Sequence, residues 1–227
     1  MSGQRRSGPS PVPYETAVLY QAAARLLVYP DQTLVDHLPL LRAALATGGK
    51  PSRLLLPLVD HLTGPELPAL ATEYVRTFDF TSRHCLHLTW WTDGDTRRRG
   101  AALVRFKERY RAHGLEPTDA PGDDDLPDFL PVVLEFSAFA RTDVLLREHR
   151  PALELLRLAL TESGTPYARV LEAVCATLPG ASPADRAQAM AMARNGPPTE
   201  DVGLTPYGHL GLLPVLTADS PETGDRR

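Results

Sequence analysis

Residues 87–100 read "HLTWWTDGDTRRRG", and two folds compete for them. Taken with a period of two, "HLTWWT" is a short strand, and the "DGDT" behind it is faintly like an aspartate-nucleophile phosphatase signature. That chemistry needs an apolar strand ahead of the aspartate and an α/β fold around it. No other stretch of the chain alternates, so this strand would have nothing to pair with. A lone strand leaves its backbone groups unpaired. Taken instead as a junction, Gly94 ends one helix and Asp95 or Thr96 caps the next. The flanking sequence favours the junction.

Upstream, "YETAVLYQAAARLLVYP" (14–30) places Ala17, Tyr20, Ala24 and Leu27 on one face and stops at Pro30. A second helix, "DQTLVDHLPLLRAALATGG" (31–49), ends on Gly48 and Gly49. A third opens on Pro51 and stops before Gly64 and Pro65, and residues 66–78 read as a fourth. Downstream, Phe129, Val132, Val133, Phe136 and Ala140 recur at helical spacing. With Asp128 as N-cap, Pro131 falls at N3, where its missing N–H loses no intrahelical bond. Pro151 starts another helix that ends at Gly164. Thr165 as N-cap and Pro166 at N1 open the next, which faces inward with Tyr167, Val170, Leu171, Val174 and Leu178. A last short helix covers about residues 184–194. The pattern predicts an all-α fold, a single-domain multi-helix bundle over residues 13–194. A disordered leader (1–12) precedes it, and a Pro/Gly-rich flexible tail (195–227) follows.

The 227 residues are 43% hydrophobic and 23% charged with a net charge of -4, enough apolar material for a real core. Cys85 and Cys175 form neither a CxxC nor a disulfide framework, which favours a reducing compartment. No apolar run approaches the roughly 20 residues that span a bilayer. Arg5 and Arg6 have no apolar stretch behind them, so the N-terminus does not read as an export signal. A cytoplasmic protein is expected.

Enzyme signatures are scarce: GxSxG, P-loop, GxGxxG and HExxH are all absent. "HCLH" (84–87) offers metal-ligand types, but no second cluster completes a zinc set, and neither a metal nor a cofactor is expected. The helix beginning near Thr96 carries Arg97, Arg98, Arg99, Arg105, Lys107, Arg109 and Arg111 against the single acid Glu108. Such a face can neutralise phosphates, so a helical nucleic-acid-binding regulator is the alternative function. Against it stand the net negative charge and the acids that follow: Glu116, Asp119, Asp123, Asp124, Asp125, Asp128 and Glu135. Asp128 and Glu135 would lie about 10 Å apart along a helix, a poor acid/base pair. A helical hydrolase finds no convergent polar set. Trp90 and Trp91 are about 100° apart on a helix, so one packs inward and the other sits at a rim. An exposed tryptophan suits partner recognition.

Several segments resemble one family. "YVRTFDF" (74–80), "LHLTWWTDGDTRRRGAALVRFKERYRAHGL" (86–115) and "LPDFLPVVLEF" (126–136) are similar to the respiratory nitrate reductase delta subunit. These are the NarJ-type molybdenum cofactor assembly chaperones, within the TorD/DmsD-like redox enzyme maturation chaperones. "LLVYPD" (26–31) and "SGTPYARVLEAVCATLP" (163–179) agree in the same order. The resemblance implies an all-helical, non-catalytic cytoplasmic protein of nitrate respiration. Its implied partner is the immature catalytic α subunit, bound chiefly at its N-terminal segment until the molybdenum cofactor is inserted and the membrane docking step proceeds. Molybdenum cofactor biosynthesis proteins are further implied partners, while nucleic acid and membrane insertion are not. Family members commonly carry tyrosines where Trp90 and Trp91 stand, and His or Tyr at the place of Phe129. A basic, amphipathic guest segment would seat as a helix in an apolar groove. Phe78, Phe80, Trp90, Trp91 and Leu130 are the apolar candidates for that groove, and Asp79, Asp93, Asp128 and Glu135 the acidic ones.

Overall fold

The computed structural model describes residues 11–94, 97–115 and 126–195. The leader, the tail beyond residue 195, the acidic stretch at 116–125 and the Asp95/Thr96 cap lie wholly or mostly outside these residues. Five helices come first: α1 (Tyr14–Leu26), α2 (Gln32–Thr47), α3 (Lys50–Arg53), α4 (Leu56–Thr63) and the amphipathic α5 (Leu67–Phe78). A 3-10 turn, Ser82–His84, leads into the short α6 (Leu88–Asp93) and the basic α7 (Arg97–Ala112). Then come α8 (Leu130–Phe139), α9 (Val144–Glu148), α10 (Arg150–Glu162), α11 (Ala168–Thr177) and α12 (Arg186–Asn195). Among the described residues every regular element is helical, as the periodicity predicts.

The centre is the α1–α8 pair. Ala22, Ala23 and Ala24 of α1 are all buried, small enough to let neighbouring helices approach closely. Helix α8 is apolar nearly all round, with Leu130, Val133, Leu134 and Phe136 buried, the composition of a helix enclosed by others. Burying a leucine side chain contributes about 2 kcal/mol, so this pair carries much of the hydrophobic stabilisation. Helix α10 packs on α11 and α12, and its charged residues pin the link between those two. Glu154 is fully buried and accepts from Arg157 Nε at 2.6 Å and Ser182 Oγ at 2.7 Å. Arg150 and Arg157 donate onward to the carbonyls of Pro179, Gly180 and Pro183.

Three local expectations are corrected. The third helix is broken between Arg53 and Leu56, because Pro57 has no N–H for the Arg53 carbonyl and its ring crowds that carbonyl. Leu54 and Leu55 close tighter i+3 turns there instead. Helix α11 starts at Ala168, not after Thr165: residues 165–167 form a tight turn, and the Thr165 hydroxyl caps nothing. Phe129, not Asp128, is the N-cap of α8, which puts Pro131 at N2. The strand reading of "HLTWWT" has a grain of truth, since His87 forms an isolated antiparallel bridge with Phe129. The Leu88 N–H donates to the Asp128 carbonyl at 3.0 Å and the Leu130 N–H to the Leu86 carbonyl at 2.9 Å. The chain then turns helical at Leu88, and Gly94 ends α6 with φ 59° and ψ -153°, a region essentially closed to other residues.

Candidate functional site

The C-terminal turn of α5, residues 79–87 and the first turn of α6 surround an aromatic groove of about 450 Å³. Tyr74, Phe78, Phe80, Trp90, Phe129, Leu86 and His87 line it, with Asp79, Thr81, Ser82 and Cys85. Residues 74 and 78 share a face of α5 because they are four apart, and their rings meet at 4.7 Å. Tyr167 closes edge-on against Phe78 at 5.1 Å from behind. The Tyr74 hydroxyl donates to the Leu27 carbonyl at 2.9 Å, which fixes that ring. Tyr29 stands edge-on to Tyr74 at 5.6 Å, so aromatic surface continues past the groove. Phe80 is 78% exposed, an apolar side chain held out in solvent at the groove's edge.

Beneath the groove lies a buried polar support built on Asp128. Its Oδ2 accepts from the Thr89 N–H at 3.1 Å and from Thr89 Oγ1 at 2.5 Å. Thr89 is the second residue of α6, so Asp128 caps that helix across the fold and leaves its own helix uncapped. Its Oδ1 pairs with His87 Nδ1 at 3.1 Å, and the His87 ring lies 5.3 Å from that of Phe129. Burial pushes the Asp128 carboxyl upward, but hydrogen bonds from His87 and Thr89 outweigh it and hold the group below its ordinary value. Arg99 of α7 donates to Thr89 Oγ1 at 3.2 Å and extends the network.

Four expected residues therefore line the groove: Phe78, Asp79, Phe80 and Trp90. Trp91 is half-buried behind it, its Nε1 donating to the Cys85 carbonyl at 3.0 Å. Asp128 and Leu130 are fully buried and lie under the groove instead of on its surface. Asp93 accepts from Thr92 Oγ1 at the end of α6, and Glu135 is exposed on α8; neither lines the groove. Tyr74, Thr81, Ser82, Cys85, Leu86, His87 and Phe129 complete the lining and were not among the expected set. The i, i+4 spacing of Tyr74 and Phe78 carried a signal for the first of them. The two histidines of "HCLH" part company: His84 turns to the Thr77 carbonyl at 2.7 Å, whereas His87 faces Asp128. On the basic helix, Arg99 turns inward and Arg109 pairs with Glu148.

Comparison with known proteins places these features. The chain is 39% identical over 163 residues to the nitrate reductase-like protein NarX of Mycobacterium tuberculosis, 70% of this chain and 24% of that protein. It thus spans about a quarter of the length of that relative. It is 29% identical over 166 residues to the probable nitrate reductase molybdenum cofactor assembly chaperone NarJ of Bacillus subtilis, 71% of this chain and 88% of that protein. With the nitrate reductase molybdenum cofactor assembly chaperone NarJ of Escherichia coli it shares 31% identity over 157 residues, 64% of this chain and 63% of that protein. The family profile described as nitrate reductase delta subunit matches residues 49–173, more than half of the chain. That span contains every residue lining the groove and the Asp128 network beneath it. The chain belongs to the nitrate reductase delta subunit family.

Proposed function

We propose that this protein is a non-catalytic assembly chaperone for a respiratory nitrate reductase. It receives the N-terminal segment of the immature catalytic α subunit in the aromatic groove and holds it until the molybdenum cofactor is inserted. The observation that carries the reading is the groove itself: an aromatic trough with Phe80 standing in solvent, inside the part of the chain that matches the family. Such a surface costs free energy unless a guest covers it. An amphipathic helix would lay its apolar side chains against Tyr74, Phe78, Phe80 and Trp90, and Asp79 would meet a basic side chain at the rim. Asp128 takes no part in contact; it holds His87 and the first turn of α6 in place. Among the described residues no helix is long and apolar enough to cross a membrane, and the proposal places the protein in the cytoplasm, with cofactor biosynthesis proteins as further partners. Calorimetry with the N-terminal peptide of the cognate α subunit tests this. Saturable binding that shifts the tryptophan emission supports it, and no binding at high micromolar peptide by folded protein overturns it.

A further inference from the structure

We propose that a second cavity flanking α5, about 450 Å³ in volume, binds a guanidinium group. Three of its polar side chains, Thr72, Ser163 and His84, already direct a hydrogen to a backbone carbonyl. Thr72 Oγ1 donates to the Pro68 carbonyl and Ser163 Oγ to the Leu160 carbonyl, each at 2.8 Å. Both hydroxyls therefore have only lone pairs left for a guest. His84 is 8% exposed, and its Nδ1 lies 2.7 Å from the Thr77 carbonyl oxygen, which can only accept. Nδ1 therefore carries a proton, and when the ring holds only that one Nε2 is left as an acceptor. The buried Thr165 Oγ1 makes no hydrogen bond among the described residues. Glu73 adds a carboxylate that contacts His61 Nε2 at 2.9 and 3.1 Å and has lone pairs to spare.

Acceptors from five side chains around one hollow suit a planar cation with several fixed N–H donors. An anion would meet lone pairs from most directions. Arg76 also lines the cavity and opposes a cationic guest. The two charges in the lining therefore give predictions of opposite sign. None of the lining residues belongs to the aromatic groove, so this site can fail or succeed independently of the chaperone reading.

The test titrates the full chain at low salt with agmatine, a guanidinium on a short alkyl stem, and with N-acetyl-arginine amide, the same group on a peptide unit. Binding is followed by calorimetry and by NMR shifts of residues around Thr165. The expected result is saturable binding of at least one probe, weakened about fivefold by Glu73→Gln and tightened about twofold by Arg76→Ala. Both side chains are partly or fully exposed, and circular dichroism confirms that the variants fold. Preference for the arginine amide assigns the site to an arginine carried by a polypeptide; preference for agmatine assigns it to a free cation. Absence of binding by both probes overturns the proposal. So does inorganic phosphate binding that Glu73→Gln strengthens and Arg76→Ala weakens.

Discussion

Among the described residues two carboxylates, Glu154 and Asp128, are fully buried, and they are satisfied by opposite means. Glu154 sits between the guanidinium groups of Arg150 and Arg157, with a hydroxyl from Ser182. Asp128 accepts from a backbone N–H, a threonine hydroxyl and an imidazole. The first arrangement is a network of charges that fastens the 179–183 link to α10. The second is a helix cap delivered from a distant part of the chain, and it shapes the groove. A charge network depends on every member, whereas a cap loses one or two hydrogen bonds when it is altered. Stability and site geometry are therefore set by different carboxylates.

The largest effect expected is at Glu154. Glu154→Gln leaves two mostly buried guanidiniums without their counter-charge and should cost about 3–5 kcal/mol in urea unfolding. Peptide affinity per folded molecule should stay unchanged. A cost no greater than that of altering Asp128 would break the comparison.

Next comes a group outside both arrangements that sets the background for acid titrations. Burial pushes His149, stacked on Phe106 at 4.5 Å, down to about 4. Its unfolded imidazole takes up a proton near 6.5 while the folded one does not, so its contribution is complete above pH 6.5 and lost as pH falls toward 4. The loss should reach about 3 kcal/mol in an acid titration of unfolding free energy, and His149→Phe should flatten that window.

Asp128→Asn should cost less, about 1–3 kcal/mol, because one retained oxygen still accepts from Thr89. The native carboxyl is held below its ordinary value, so its stabilisation is present above that value and disappears only as pH falls through the lowered one. The variant should lack this last acid step. Peptide affinity should also fall, by loss of His87 orientation, which separates this carboxylate from Glu154.

Smallest in stability is Phe80→Ala, within about 0.5 kcal/mol of the parent because the ring is exposed. Its peptide affinity should nonetheless fall about tenfold or more, as for an aromatic anchor. Unchanged affinity would move the guest away from this groove.

Periodicity was enough to read the fold, because apolar residues three and four apart must face a core whatever the neighbours are. Tyr20 and Ala24 of α1 illustrate this: both are buried as their spacing demands. The groove was legible in part. Phe78, Asp79, Phe80 and Trp90 converge there, but Leu130 and Asp128, drawn from a neighbouring motif, lie below it. Their burial depends on how α8 is rotated against α1, and no local pattern encodes that. The role of Asp128 was hidden for the same reason, since its partner Thr89 is 39 residues away. The break at Pro57 was visible as a residue but not as an outcome, because Pro39 is accommodated inside α2.

The bridge between His87 and Phe129 has a consequence for chain entropy. The neighbouring His87–Asp128 pair closes a loop of 41 residues that contains all of α7. Closure cost rises only with the logarithm of loop length, by about 0.6 kcal/mol for each doubling. Insertions or deletions between residues 115 and 126 should therefore leave the groove's floor and wall latched together. A change in the length or charge of that stretch should not dismantle the aromatic groove.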